Sequence, residues 1–153
     1  MVETALAIEP APAPLPALNP DGPMRLRIES ITVITSTLNE THNHATITAC
    51  LESTPTNTYE GRGVGPIDAM CKALQHFEPG FDVAEWSGKA IGRGSEAVAI
   101  IKVTIYTTNG SVYHGEGRHQ NTMQATADAI ADALNRHFLV RHRNSGRRKS
   151  TET

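Results

Sequence analysis

The fold is decided by a stretch that reads Tyr59-Glu60-Gly61-Arg62-Gly63-Val64-Gly65-Pro66-Ile67-Asp68-Ala69. A related stretch begins with Tyr113-His114-Gly115-Glu116-Gly117. Both run from Tyr-x-Gly-x-Gly into an amphipathic helix that ends in Ala-Leu and then His-Phe. The tyrosine precedes Ala-Leu by 14 residues in the first copy and by 20 in the second. Because one supersecondary pattern occurs twice, we predict two similar units in one domain.

Composition limits the kinds of protein that this chain can be. Its 153 residues are enough for one domain but too few for a (β/α)₈ barrel, which needs about 250. No apolar run approaches the roughly 20 residues of a membrane span, and the N-terminus does not read as a secretory signal. The two cysteines, Cys50 and Cys71, have no metal-ligand spacing. We therefore predict a cytoplasmic protein without a membrane segment, metal or cofactor.

The two ends differ in composition from the rest of the chain. Residues 1–23 hold Ala-Pro repeats and are expected to form a disordered, polyproline-like leader. Residues 141–153 carry five of the 14 basic residues and are expected to form a disordered basic tail. Residues 1–140 hold nine basic and 15 acidic residues, so nucleic acid is not the expected partner. The domain itself is expected over residues 24–140, as units 24–79 and 80–140.

Alternation of apolar residues predicts three strands in each unit. They are expected at residues 25–35, 45–52 and 58–61 in the first unit and at 81–91, 97–107 and 111–115 in the second. The apolar phase slips near Glu29 and Ser30, which indicates a bulge. Segment 97–107 is apolar on both faces and should be a central strand. Asn109-Gly110 predicts a hairpin with a type I′ turn.

Each set of strands is followed by a predicted helix. Pro66 suits the first position of a helix and Asp68 suits its first turn, and Glu78-Pro79-Gly80 ends it. The second helix is expected over residues 122–138, with Asn121 as its N-cap and Gln124 completing a pattern like a capping box. The order βββα-βββα predicts an α+β domain of two pseudo-symmetric units, with mainly antiparallel sheet and two helices.

Both glycine-rich loops lead into a helix N-terminus, where free N–H groups and the helix dipole favour an anion. Neither loop has the pattern of a P-loop or of a dinucleotide site. A carboxylate is the milder ligand that fits. The alternative is a tight strand-to-helix turn that binds nothing.

Histidines offer a second kind of candidate site. His42 and His44 flank Asn43, and His114 and His119 flank the second glycine pair. Neither pair has further zinc ligands at a recognised spacing, and no Ser or Cys has an evident base beside it. We therefore expect no metal site and no catalytic residue. A small enzyme that uses the His114–His119 loop stays open as an alternative.

The segment from Gly63 to Ala69 resembles a motif of the C-terminal regulatory domain of 2-isopropylmalate synthase and its relative citramalate synthase, Gly-x-Gly-Pro-hydrophobic-Asp-Ala. Residues 94–97 are similar to a Gly-x-Asp-Ala segment of that family. Residues 115–117 and 121–125 resemble its last loop and the start of its last helix. The likeness covers about residues 25–138. It does not include the catalytic barrel of these synthases.

This resemblance implies a free-standing, non-catalytic regulatory domain. In that family the domain consists of two βββα units, forms a homodimer and binds leucine or isoleucine at the dimer interface. Carried over by position, the expected ligand contacts are Gly63, Gly65, Pro66, Asp68 and Ala69 in the first unit and Gly117, Asn121, Thr122 and Ala125 in the second. Helix N–H groups would bind the α-carboxylate, Asp68 would bind the ammonium group, and small residues would leave room for an aliphatic side chain.

The expected function is feedback regulation of a 2-isopropylmalate or citramalate synthase-type enzyme. The expected effector is a branched-chain amino acid, with leucine preferred. A separate catalytic synthase subunit would be the target. The alternative from another class is a structural dimerisation domain whose pocket is vestigial.

Overall fold

The structure is a computed structural model that describes residues 25–35, 43–52 and 54–152, with the backbone alone for residues 144–152. Two βββα units follow one another in the chain. The first consists of β1 (Leu26–Ile34), β2 (Asn43–Leu51), β3 (Asn57–Gly63) and α1 (Pro66–Leu74). The second consists of β4 (Asp82–Ile91), β5 (Val98–Tyr106), β6 (Val112–His119) and α2 (Thr122–Glu152), with a short 3₁₀ turn at Gly94–Glu96.

Each unit forms its own three-stranded antiparallel sheet, in the orders β1-β2-β3 and β4-β5-β6. The predicted α+β architecture of two similar units is therefore confirmed. The predicted bulge is present between Ile28 and Ser30, and the second unit repeats it between Val83 and Glu85. Strand β5 is the central strand of its sheet, as its apolar character on both faces predicted.

The hairpin predicted at Asn109-Gly110 is present, but the predicted turn type was wrong. The Gly110 N–H donates to the Thr107 carbonyl at 2.9 Å, and the Thr107 N–H donates to the Ser111 carbonyl at 2.9 Å. These bonds enclose a three-residue loop in which Gly110 has a φ of 87°. Such a loop is a type I turn followed by a left-handed glycine rather than a two-residue type I′ turn. The Asn109 side chain accepts the Ser111 N–H at 3.1 Å, which stabilises the longer loop.

The second helix is longer than the sequence predicted. It continues to Glu152 instead of ending at residue 138, so it includes most of the segment that we expected to be a disordered tail. No glycine or proline follows Phe138 before Gly146. Arg141 holds the next turn, because its Nη1 donates to Glu78 Oε1 at 2.9 Å and its guanidinium lies 5.2 Å from the centre of the Phe138 ring. The predicted leader, residues 1–23, lies outside the described residues.

Equivalent side-chain amide hydrogen bonds join the two units. In α2, Asn135 Oδ1 accepts the Leu26 N–H at 2.6 Å and Asn135 Nδ2 donates to the Leu26 carbonyl at 3.0 Å. In α1, Gln75 Nε2 donates to the Phe81 carbonyl at 2.9 Å. Both amides directly follow Ala-Leu, and each binds the start of the other unit's first strand. One apolar core therefore spans both units.

The length difference between the two copies has a structural explanation. Strand β6 ends six residues after Tyr113, whereas β3 ends four residues after Tyr59. Ala133 is the eleventh residue after the start of α2, whereas Ala73 is the seventh after the start of α1. Two residues join strand and helix in both units. The second unit therefore contains two more strand residues and about one more helical turn.

Burial of Cys71 in this core predicts slow thiol chemistry. Cys71 is 1% exposed, and burial raises the pKa of its thiol to about 12. We expect a thiol reagent at pH 8 to label Cys71 only after unfolding, because the thiolate is the reactive form. Since the folded pKa exceeds the usual value of 9.0, the free energy of unfolding should fall as pH rises from about 9 to about 12. The measurement is labelling of a Cys50→Ser variant with and without denaturant. Rapid labelling of the native variant would contradict the prediction.

Among the described residues, no helix has both the length and the apolar character needed to cross a membrane.

Candidate functional site

The glycines of the two Tyr-x-Gly-x-Gly stretches lie where each helix crosses its last strand. Gly61 faces the α1 backbone at Ala69 and Ala73. An added Cβ at Gly115 would lie 2.6 Å from the Ala133 nitrogen, and one at Gly117 would lie 2.7 Å from the Ala129 nitrogen. Carbon atoms do not approach backbone this closely, so a side chain would push the helix away from the sheet. The repeated motif is therefore a helix-packing surface in both units.

The N-terminus of α1 has no side-chain cap. Gly65 is the N-cap in an extended conformation, with φ −157° and ψ 172°, and no side chain caps the helix from this position. Pro66 follows as the first helical residue. The first-turn N–H groups of Ile67 and Asp68 have no intrahelical acceptor, as in every α-helix. A Cβ added to Gly65 would meet nothing within 4 Å among the described residues. The side-chain position of Gly65, at the start of this helix, is therefore open.

Asp68 anchors the loop that precedes this helix end. Its Oδ2 accepts the Val64 N–H at 3.0 Å, and its Oδ1 accepts from Lys72 Nζ at 3.0 Å. Partial burial alone would raise the pKa of Asp68, but the hydrogen bonds from Lys72 and Val64 together outweigh it and lower the pKa. Asp68 is therefore anionic at neutral pH. Each carboxylate oxygen accepts more than one hydrogen bond, so the group has capacity for another donor.

The N-terminus of α2 is closed by its own chain. Asn121 Oδ1 accepts the N–H groups of Met123 at 2.9 Å and Gln124 at 3.0 Å, which confirms the predicted N-cap. The predicted reciprocal bond from Gln124 was wrong, because Gln124 Nε2 donates to Asp128 Oδ1 at 3.0 Å. The Asn121 N–H donates instead to His119 Nδ1 at 2.9 Å. The two helix ends therefore differ: the first offers free donors and the second satisfies its own.

Asp128 lies one turn further along α2. Burial raises the pKa of its carboxyl group, although the hydrogen bond from Gln124 and the nearby His119 both act to lower it. The carboxylate therefore has a higher proton affinity than an exposed aspartate.

The nine residues predicted to contact a ligand fall into two groups. Ala69 and Ala125 are fully buried, and Gly117 faces the α2 backbone. Gly63 faces Asp68, since an added Cβ would lie 2.7 Å from the Asp68 Cγ atom. Gly63 and the other five retain exposed surface: Gly63, Gly65, Pro66, Asp68, Asn121 and Thr122. The structure thus buries three of the candidates and leaves six at least partly accessible.

One chain does not join the two loops by a polar contact. Among the described residues, no hydrogen bond or ion pair connects Val64-Gly65 with Gln120-Asn121. The hydrogen bonds between units run instead from Asn135 to Leu26 and from Gln75 to Phe81. Both amides lie well after the N-terminus of their helix. Each loop is therefore held by hydrogen bonds within its own unit.

The histidines do not converge. His114 Nδ1 lies 3.0 Å from Thr104 Oγ1, whereas His119 binds the Asn121 N–H. Because positions 114 and 119 differ by an odd number along one strand, their side chains lie on opposite faces of the sheet. His44 pairs with Glu60 Oε1 at 3.0 Å, and His42 lies outside the described residues. In the described part of the chain, no three His, Cys, Asp or Glu residues cluster as metal ligands would.

A buried polar cluster between the units was missed at the sequence level. Glu78, 8% exposed, accepts from Arg141 and lies 3.2 Å from His137 Nε2. His137 is a mid-helix residue rather than a helix end, and its ring packs edge-on against Tyr113 at 5.1 Å. Local pattern could not reveal this cluster, because 63 positions separate Glu78 from Arg141.

Comparison with known proteins identifies the family. A family model described as the LeuA allosteric (dimerisation) domain matches residues 18–138. The chain belongs to this family. A 2-isopropylmalate synthase from Synechococcus sp. (strain CC9311) is 30% identical over 119 residues, which are 76% of this chain and 21% of the relative. One from Prochlorococcus marinus (strain MIT 9211) is 27% identical over 128 residues, which are 83% of this chain and 23% of the relative.

A probable 2-isopropylmalate synthase from Archaeoglobus fulgidus is 35% identical over 89 residues, which are 58% of this chain and 17% of the relative. The chain thus spans about a fifth of the length of these relatives. The resemblance to the regulatory domain of 2-isopropylmalate synthase is confirmed, and the match concerns one domain of those enzymes.

Proposed function

We propose that the chain is a non-catalytic regulatory domain that binds a branched-chain amino acid at an interface between two copies, with leucine as the preferred ligand. It would convey feedback to a 2-isopropylmalate or citramalate synthase-type enzyme. The observation that carries this proposal is the N-terminus of α1, which is uncapped and open in front of Gly65. The open helix end lies within the segment that the LeuA domain family matches.

The chemistry of this helix end suits a zwitterion. The N–H groups of Ile67 and Asp68 are donors for an α-carboxylate, with the helix dipole adding to their effect. The anionic Asp68 side chain is an acceptor for an α-ammonium group. A phosphate or another simple anion would be repelled by that carboxylate. The combination of donors and an acid therefore favours an amino acid.

An apolar neighbour favours an aliphatic side chain on that amino acid. Val64 directly precedes the N-cap and is 67% exposed. Covering such a side chain removes apolar surface from water, which is favourable in proportion to the area buried. Leucine and isoleucine supply this surface, whereas glycine or serine would not.

A second copy would complete the site. Among the described residues of one chain, no hydrogen bond or ion pair joins the two loops, and the accessible candidates of the second loop, Asn121 and Thr122, carry side chains able to donate and accept. The family's description as a dimerisation domain supports a homodimer. In this proposal the synthase that the domain would regulate is a separate subunit.

The test is a thermal-shift panel of the twenty amino acids at millimolar concentration. A ligand at 100 times its Kd stabilises the folded state by about 2.7 kcal/mol, which raises the Tm of a domain this size by roughly 5–10 °C. We expect leucine or isoleucine to give that shift. Leucinamide, which lacks the carboxylate, and N-acetyl-leucine, which lacks the ammonium group, should not. Absence of a shift with every branched-chain amino acid would refute ligand binding.

The second candidate is a structural dimerisation domain with a vestigial pocket. The packing of Gly63, Ala69, Gly117 and Ala125 favours it, because four of the nine candidate ligand contacts then serve the fold. It predicts a dimer in sedimentation that no amino acid stabilises. The same panel therefore separates the two candidates.

A further inference from the structure

Strand β4 is exposed along most of its length, on both faces. Of its ten residues only Val83 is partly buried. Trp86 is 41% exposed and Ile91 is 54% exposed, although both are large and apolar. The corresponding strand of the first unit, β1, is covered by α2, whose Asn135 binds Leu26. Gln75, the C-cap of α1, binds the second unit near the start of β4, at Phe81. Among the described residues, the rest of β4 stays exposed apart from the contact of Trp86 with α2.

Strand β4 is also the edge of its sheet. Among the described residues it pairs with β5 alone, so its other side presents a row of backbone N–H and C=O groups. Long edge strands with exposed apolar residues readily pair with another strand. The residues that usually prevent such pairing are charged. Asp82 lies at the start of β4, and the charged residues further along are Glu85 and Lys89, which have opposite signs.

We propose that β4 pairs antiparallel with β4 of a second copy, with Ser87 opposite Ser87, to form one continuous six-stranded sheet. This inference deepens the homodimer of the proposed function and rests on it. A two-fold axis through the pair at Ser87 places Glu85 opposite the partner's Lys89, and the second such pair follows by symmetry. It places Trp86 opposite the partner's Gly88. In each chain the Trp86 ring already lies against Gly88 of its own strand, where an added Cβ would be 3.3 Å from Trp86 Cη2.

The charges select this register over its neighbours. In a continuous antiparallel sheet, residues directly opposite each other point to the same face. Each alternative register must therefore place residues of one face opposite residues of the same face. An axis at Trp86 would place Glu85 opposite the partner's Ser87 and Lys89 opposite the partner's Val83. An axis at Gly88 would place Glu85 opposite the partner's Ile91. Only the axis at Ser87 pairs the acid with the base.

Self-complementarity is what identifies the occupant as a second copy. A strand of another protein would need a base opposite Glu85 and an acid opposite Lys89, whereas β4 itself supplies both. The exposed apolar surface of Trp86 lies in the centre of this pairing. Its Nε1 already donates to Thr126 Oγ1 at 3.1 Å, so the indole is fixed before association.

Cysteine cross-linking tests the register directly. Opposite residues of an antiparallel pair have Cα atoms about 4.5–5.5 Å apart, within the range of a disulfide. A Ser87→Cys variant should therefore form a covalent dimer on oxidation. A Lys89→Cys variant is the matched control, because the two copies of position 89 would lie four residues apart along the sheet, about 13 Å. The native Cys50 and Cys71 are buried and should not interfere.

A charge exchange tests the pairing without cross-linking. Glu85→Lys or Lys89→Glu alone should raise the dimer Kd about tenfold, because each creates two like-charge pairs. The double variant should restore the wild-type Kd. Glu96→Lys, an equal charge change at an exposed site outside β4, should leave it unchanged. Sedimentation measures the Kd, and the fluorescence of Trp86, the sole tryptophan, reports on its environment.

The outcomes separate this inference from the proposed function. A chain that is a dimer in sedimentation but gives no Ser87→Cys cross-link, or gives an equal cross-link with Lys89→Cys, overturns the β4 interface and leaves amino-acid binding intact. A monomeric chain also overturns the interface. A specific cross-link in a protein that no amino acid stabilises upholds the interface and removes the ligand. Cross-linking to a foreign protein in preference to itself would assign the edge to another partner.

Discussion

A Gly117→Ala variant is expected to lose about 3 kcal/mol or more of its free energy of unfolding, because the new Cβ would overlap backbone. The added atom would lie 2.7 Å from the Ala129 nitrogen and closer still to the Ala125 carbonyl oxygen. Neither neighbour is a flexible side chain. Helix α2 cannot retreat without opening the core, since Ala125 and Ala129 are fully buried. The Tm should fall by roughly 10 °C.

Gly65→Ala is the matched control for Gly117→Ala. Gly65 has an extended backbone, and its added Cβ would meet nothing within 4 Å. The control should change the free energy of unfolding by less than about 1 kcal/mol, because the smaller conformational freedom of alanine in the unfolded state is offset by its lower preference for an N-cap position. Urea denaturation, followed by circular dichroism, measures both variants. If Gly117→Ala were as stable as Gly65→Ala, the close approach of β6 and α2 would be wrong.

This contrast shows why the sequence predicted the units but not the role of every glycine. A glycine meets one of three needs: a positive φ, a close ligand or a close backbone. The repeat of Tyr-x-Gly-x-Gly located the strand-to-helix transitions in both units. Only the position of the facing helix shows that Gly61, Gly115 and Gly117 meet the third need. Gly65, two residues after Gly63, has open space at its side-chain position and is therefore available for the second need, a close ligand.

The local elements that the sequence predicted correctly depend on short-range physics. The bulge at Ile28–Ser30, the central position of β5 and the Asn121 cap each follow from a few neighbouring residues. The errors depend on distant groups or on competing local bonds. Helix α2 continues beyond residue 138, where Arg141 donates a hydrogen bond to Glu78, a residue distant in the chain. Gln124 binds Asp128 rather than the cap, because His119 takes the cap's N–H.

The candidate site was located by resemblance and narrowed by structure. The sequence predicts two unequal halves of one site, each of which offers a helix N-terminus. In the structure one helix end is open and the other is capped by Asn121. The two extra strand residues of the second unit separate its glycines from the helix start. A ligand that needs free N–H donors therefore has the α1 terminus as its natural position.

A Gly65→Val variant is expected to fold normally and to lose amino-acid binding. Residues before proline favour extended backbone, which Gly65 already has at φ −157° and ψ 172°, and valine adopts this conformation easily. Its branched side chain would occupy the open space in front of the Ile67 and Asp68 N–H groups. Each hydrogen bond to a charged carboxylate contributes about 1.5–3 kcal/mol, so loss of both should weaken leucine binding by at least about 100-fold.

Calorimetry with leucine measures the affinity of Gly65→Val, and thermal denaturation without ligand measures its stability. Thr32→Val is the control for added β-branched apolar surface, because Thr32 is an exposed residue of β1 away from the helix end. It should retain both properties. Unchanged leucine affinity in a folded Gly65→Val protein would move the ligand away from α1, and the capped α2 terminus would then have to bind it through side chains alone. The outcome decides whether the donors that bind the carboxylate come from the first unit, which keeps the family motif in full, or from the polar side chains of the second.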